Sequence, residues 1–155
     1  MKKFAFALDK VLDYKEQVEN NLKNEYSQIA KRVKDQEQKL ERLNMEFAGC
    51  RNEFEARKKQ GCPVNVMITY DGYLNSIRMR IEEEKKVLEK LKIEEERKRQ
   101  EMVRAKVETS SFERLKEKKK AEYDKDTQKQ EEKFIEEFVS NLTSTRNAVE
   151  QASAV

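Results

Sequence analysis

Apolar residues return along this chain in two interleaved rows of seven-residue spacing, and the pattern breaks once. Before the break one row runs Leu22, Ile29, Leu43 and Cys50, with Gln36 as a polar gap, and the other runs Tyr26, Val33, Leu40, Phe47 and Phe54. After it, Tyr70, Ile77, Leu91, Ala105 and Phe112 form one row and Leu74, Ile81, Leu88 and Met102 the other. Steps alternating between three and four residues are the seam of a left-handed coiled coil. The break holds Gly61 and Pro63, the chain's one proline. Glycine supplies an unusual backbone angle there and proline stops continuation. The pattern predicts an all-α fold, a long antiparallel two-helix coiled-coil hairpin, as a single domain. Helix one is expected over about 6–58, the turn over about 59–65 with Asn65 as N-cap, and helix two over about 66–142. A frayed tail, rich in small and polar residues, is expected over 143–155.

Folding at the turn aligns positions whose numbers add to about 124. Phe54 is then set against Tyr70, Phe47 against Ile77, Leu43 against Ile81, Gln36 against Leu88, Tyr26 against Lys98 and Leu12 against Phe112. The large apolar residues crowd toward the turn, and Glu84, Glu95 and Lys98 thin the seam further along. The tip is expected to be the stable part and the shaft the adaptable part. An arm of some fifty residues reaches roughly 75–80 Å at about 1.5 Å per residue. Past Lys120 helix two outlasts its partner. Phe134, Ile135, Phe138, Val139 and Leu142 then form a second apolar cluster at helical spacing, which either packs on a neighbouring chain or docks a partner.

Composition narrows the class. Charged residues make up 42% of the 155 and hydrophobic ones 36%, too few apolar side chains for a layered core but enough for a two-helix seam. The net charge of +3 is the remainder of 34 basic and 31 acidic residues. The signs are mixed along the chain, with Glu82–Lys86, Glu94–Lys98 and Glu95–Arg99 one turn apart in the favourable order. A nucleic-acid arm segregates its positive charge instead, so no nucleic-acid partner is expected. The lysine knot at Lys116–Lys120 is interrupted by Glu117 and followed by acidic residues. Histidine is absent and the two cysteines fall apart, Cys50 on the seam and Cys62 in the turn. There is no zinc set, no phosphate-cradling glycine loop and no convergent acid/base pair. The reading is a non-enzyme with no cofactor and no metal. The opening apolar run is cut by Asp9 and Lys10, short of a secretion signal or a membrane span, so a cytoplasmic protein is expected.

Three segments carry a family likeness. Phe4-Ala5-Phe6-Ala7-Leu8-Asp9-Lys10-Val11-Leu12, Tyr70-Asp71-Gly72-Tyr73-Leu74 and Ser111-Phe112-Glu113-Arg114-Leu115-Lys116-Glu117-Lys118, in that order on a hairpin of this length, resemble the flagellar export protein FliJ family. The resemblance implies a component of the flagellar type III export apparatus, peripheral to the inner-membrane flagellar base and similar in fold to the rotor stalk of rotary ATPases. It implies that the end bearing the termini enters the ring of the flagellar export ATPase and promotes its assembly and activity, through Phe4, Phe6, Leu8, Val11, Leu12, Phe112 and Leu115. It implies contact with the cytoplasmic domain of the export gate at Tyr73, Ile77, Arg80 and Glu84. Export chaperones are a further class of partner under the same likeness. Two other readings compete: a generic structural coiled-coil adaptor, dimerised to shield its seam, and a helical-hairpin nucleic-acid-binding arm, whose binding would weaken steeply with salt.

Overall fold

The computed structural model describes residues 3–153. Among them are two helices packed against each other and no strand, an all-α helical hairpin as the seven-residue pattern predicts. Helix α1 spans Asp9–Gln60 and helix α2 spans Val64–Ser153. The turn is tighter than expected, Gly61 to Pro63. Gly61 has a φ of 83°, the left-handed conformation that commonly ends a helix, and its N–H donates to the Lys58 carbonyl at 3.2 Å. Pro63 does more than stop α1. Its carbonyl accepts from the N–H groups of Val66 and Met67 at 3.1 and 3.2 Å, so it opens α2. Asn65 therefore lies inside the first turn rather than capping it, and its carbonyl accepts the Thr69 hydroxyl at 2.9 Å.

The chain divides into two compact units. One comprises Glu16–Val107; the other combines the chain up to Lys15 with Glu108 onward. In the first, Leu40, Leu43, Ile77 and Ile81 form a buried cluster with Phe47 and Leu88 packed against it. Ile77 is 1% exposed, and Phe54, Leu74, Val33 and Ile29 are also buried. Each such side chain contributes about 1.5–3 kcal/mol by leaving water. Near the turn Phe54 stacks on Tyr70 with ring centroids 5.0 Å apart. That pair, and the Leu43–Ile81 neighbourhood, follow the predicted alignment.

Polar residues on this seam join the helices. The Gln36 amide donates to both the backbone carbonyl and the carboxylate of Glu84, one turn short of the expected Leu88, and Lys39 reaches the same carboxylate at 2.6 Å. Lys98 bonds to Glu25 across the pair at 2.7 Å and to Glu101 at 3.1 Å. The intrahelical partners differ from those expected: Lys85 pairs with Glu82 and Arg99 with Glu96, at i,i+3 spacing.

In the second unit Phe6 and Leu12 are buried, as is Thr109 at 2% exposure. Residues 3–8 are not helical, although helix one was expected from about residue 6. Their apolar residues, Phe4, Phe6 and Leu8, recur every second position, which suits an extended strap and not a helix. The strap joins α1 through the Asp9 N–H, which donates to the Phe6 carbonyl at 3.1 Å. Helix α2 continues past Leu142 to Ser153. Residues 143–153 contain neither glycine nor proline, and the hydroxyls of Thr143, Thr145 and Ser153 each donate to a carbonyl four residues back.

The turn geometry makes a direct prediction. Gly61→Ala is expected to lower stability by about 1–2 kcal/mol, because a Cβ disfavours the left-handed conformation. Gly49→Ala and Gly72→Ala, mid-helix with nothing within 4 Å of an added Cβ, are expected to raise it by roughly 0.5–1 kcal/mol each. Urea unfolding followed by circular dichroism reads all three.

Candidate functional site

The four positions assigned to gate contact lie on α2 in the first unit, and the helix distributes them over different environments. Tyr73 is on the surface at 47% exposure, whereas Ile77 is the most deeply buried side chain of the core. Ile77 thus supports the patch from beneath and presents no surface to a partner. Arg80 is exposed and Glu84 half-buried. The patch that reaches solvent therefore consists of Tyr73, Arg80 and the outer edge of Glu84.

Residues from α1 complete this surface, and the sequence reading did not find them. The Tyr73 hydroxyl donates to the Glu46 carboxylate, and the Tyr70 hydroxyl donates to Glu53 at 2.8 Å. Cys50 lies between these two acids. Together with Arg57, Val66 and Thr69 they line one open groove across the two helices. The carboxylate acceptors push both phenols above the ordinary tyrosine pKa, with partial desolvation adding to the effect. Burial, then the charges of Glu53 and Glu46, likewise raise the Cys50 thiol, which disfavours the thiolate needed for nucleophilic or redox chemistry. The signal for Glu53 was present in the alignment about 124, which places it beside Tyr70; Glu46 lies more than a turn from the position that alignment sets against Tyr73.

The seven positions assigned to the ATPase-ring end all lie in the second unit. Phe6 and Leu12 form its core and Phe112 is half-buried. Leu8, Val11 and Leu115 are 36%, 38% and 37% exposed, so they are the apolar groups available to a partner. Phe4 packs against Tyr123 with tilted rings 5.6 Å apart. Tyr123 lies beyond the point where helix one was expected to run out; the strap carries Phe4 to it. The strap residues with Leu115, Lys119 and Tyr123 line an open apolar groove. Ion pairs fasten this unit: Lys116 with Asp9 at 2.6 Å and Lys15 with Glu108 at 2.7 Å. Lys119 pairs with Glu122 at 2.9 Å. Lys116 and Lys119 of the lysine knot are thus engaged with acids of their own chain.

Among the described residues no group of histidine, cysteine and acidic side chains could hold a metal ion, and no helix is long and apolar enough to cross a membrane. The two grooves are open troughs on a helix pair, with surfaces suited to binding other proteins. A helical hairpin with this seam defines a coiled-coil protein. The family model for the flagellar FliJ protein matches residues 4–148, so the chain belongs to the FliJ family. No curated protein and no solved structure matches the chain. Membership makes it a component of the flagellar export machinery, in a family of non-enzymatic structural components.

Glu84 gives the site a pH dependence. Its hydrogen bonds to Lys39 first, and Gln36 second, hold its carboxyl below the ordinary value of 4.5. A depressed carboxylate pKa contributes stability above the unfolded value, and the contribution is lost as pH falls through the folded one. Acid melting of Glu84→Gln is therefore expected to show a shallower loss of melting temperature below about pH 4.5 than the parent chain. Thermal melts at a series of pH values compare the two slopes.

Proposed function

We propose that this chain is a cytoplasmic, non-catalytic coupling component of the flagellar type III export apparatus, peripheral to the inner-membrane flagellar base. Its second unit binds the ring of the export ATPase, promotes ring assembly and raises ATP turnover. Its first unit contacts the cytoplasmic domain of the export gate, with export chaperones as a further class of partner. The observation that carries the reading is the family match over residues 4–148, which includes both surfaces. The groove formed by the strap and α2 supports the ATPase assignment. It exposes Leu8 and Leu115 beside Lys3 and Lys119, as a transient protein contact requires. Mixed charge along the helices gives such contacts orientation and rate more than raw affinity. The competing adaptor and nucleic-acid readings offer no role for this groove. The pairing of Lys116 and Lys119 with acids of the same chain further disfavours nucleic acid.

The test is ATP turnover by the cognate export ATPase, with and without the chain, alongside the oligomeric state of the ATPase. Stimulation with ring assembly is expected. It should be lost in the pair Leu8→Asp and Leu115→Asp, whose sites are open enough to keep the helices folded. Equal stimulation by parent and variant would remove the strap groove from the reading, and no stimulation by the parent would leave a structural adaptor.

The gate contact has its own readout. Tyr73→Ala is expected to weaken binding to the purified gate domain while leaving the hairpin's melting temperature nearly unchanged. Unchanged gate binding would mean that the patch is wrongly placed.

A further inference from the structure

From Gln128 to Ser153 every residue of α2 is exposed. Within this stretch Phe134, Ile135, Phe138, Val139, Leu142 and Val149 are each 54–70% exposed. Ile135, Phe138, Leu142, Thr145 and Val149 follow one another by alternating steps of three and four, a seam with no helix facing it. We propose that this stripe pairs with the same stripe of a second copy of the chain, antiparallel about a two-fold axis near Ser140.

The occupant follows from the order of the residues, because an isologous contact must be complementary to itself. Set antiparallel about that axis, Phe138 lies over the second copy's Leu142, and Leu142 over its Phe138. Ile135 is opposite Thr145, and Phe134 opposite the small Ala148, so large groups meet smaller ones as interdigitation requires. Val139 meets Val139 and Asn141 meets Asn141 on the two flanks. The flanking charges agree with the same register. Glu132 of one copy faces Arg146 of the other, and the relation occurs twice by symmetry. Within one chain both groups make only exposed one-turn contacts, Gln128 with Glu132 at 2.9 Å and Arg146 with Glu150 at 3.2 Å. Both can be exchanged at little cost for a contact flanked by apolar side chains. A parallel pairing would set Glu132 and Arg146 against Thr127 and Asn141 instead, without the charge match, and is disfavoured. The stripe is shorter than a standard stable interface, so the association is concentration-dependent and not obligate.

Sedimentation equilibrium of the full chain over a wide concentration range is the test. The mass is expected to rise from 18.5 kDa toward twice that value. Phe138→Asp should abolish the rise while circular dichroism shows unchanged helicity, because residue 138 is 57% exposed and lies outside the core of the single chain. Glu132→Arg alone should also abolish it by setting arginine against arginine. The double variant Glu132→Arg with Arg146→Glu should restore it. A parent chain that stays at one-chain mass throughout would overturn the proposal. So would a dimer indifferent to Phe138→Asp, or a charge swap that fails to rescue. ATPase stimulation plays no part in these measurements, so their outcome is independent of the export role.

Discussion

Each buried side chain of the Glu16–Val107 unit has only one helix facing it. In a layered core a residue such as Ile77 would be enclosed from several directions; here its 1% exposure depends on one partner helix holding one register. The three residues between the helices set that register. Gly61 turns the chain back, and Pro63 starts α2 with its own carbonyl as first acceptor. A slip of one residue between α1 and α2 would bring the charged neighbours of Leu40 and Leu43 onto Ile77 and Ile81, a large loss for a seam this narrow. The two candidate surfaces are what the seam leaves outside itself.

The same narrowness explains how polar residues are used. Gln36 and Glu84 occupy seam positions and would be costly in a dry core without partners. On a two-helix seam their outer edges stay in contact with water, and the Gln36–Glu84–Lys39 set satisfies the rest. Such sets add little stability but penalise wrong alignments, since a shifted helix would leave Glu84 without its donors. The apolar cluster supplies the energy and the polar bridges supply the register.

What could be read from the sequence follows from period. The seven-residue rows made the helices, the turn and the facing of Phe54 on Tyr70 legible, because the signal repeats many times. The strap was missed because Phe4, Phe6 and Leu8 give only a short run of period two, and a helix could be extended through it. The groove acids Glu46 and Glu53 were missed for a different reason: on an exposed face a glutamate looks like solvation until a phenol is set against it. Ile77 shows the limit of carrying family positions over one by one. The resemblance assigns it to a docking surface and the heptad assigns it to the core, and burial decides for the core. The continuation of α2 to Ser153 was hidden by polar composition, although no residue there breaks a helix.

The strap groove and the tail stripe share one unit and one helix, yet they do not compete for the same residues. Leu115 and Phe134 are separated by about 28 Å along α2 at about 1.5 Å per residue, so a partner seated on the strap groove leaves the stripe free. A tail-to-tail pair would thus carry two strap grooves on one particle. For a partner with repeated sites, as in a ring, two linked copies raise the effective concentration of the second contact without any new interaction. The gain vanishes if the two grooves cannot reach two sites together. The weak, concentration-dependent character of the pairing matters for this reason. A weak pair can dissociate when geometry forbids double engagement, whereas an obligate one would hold the second copy in the way.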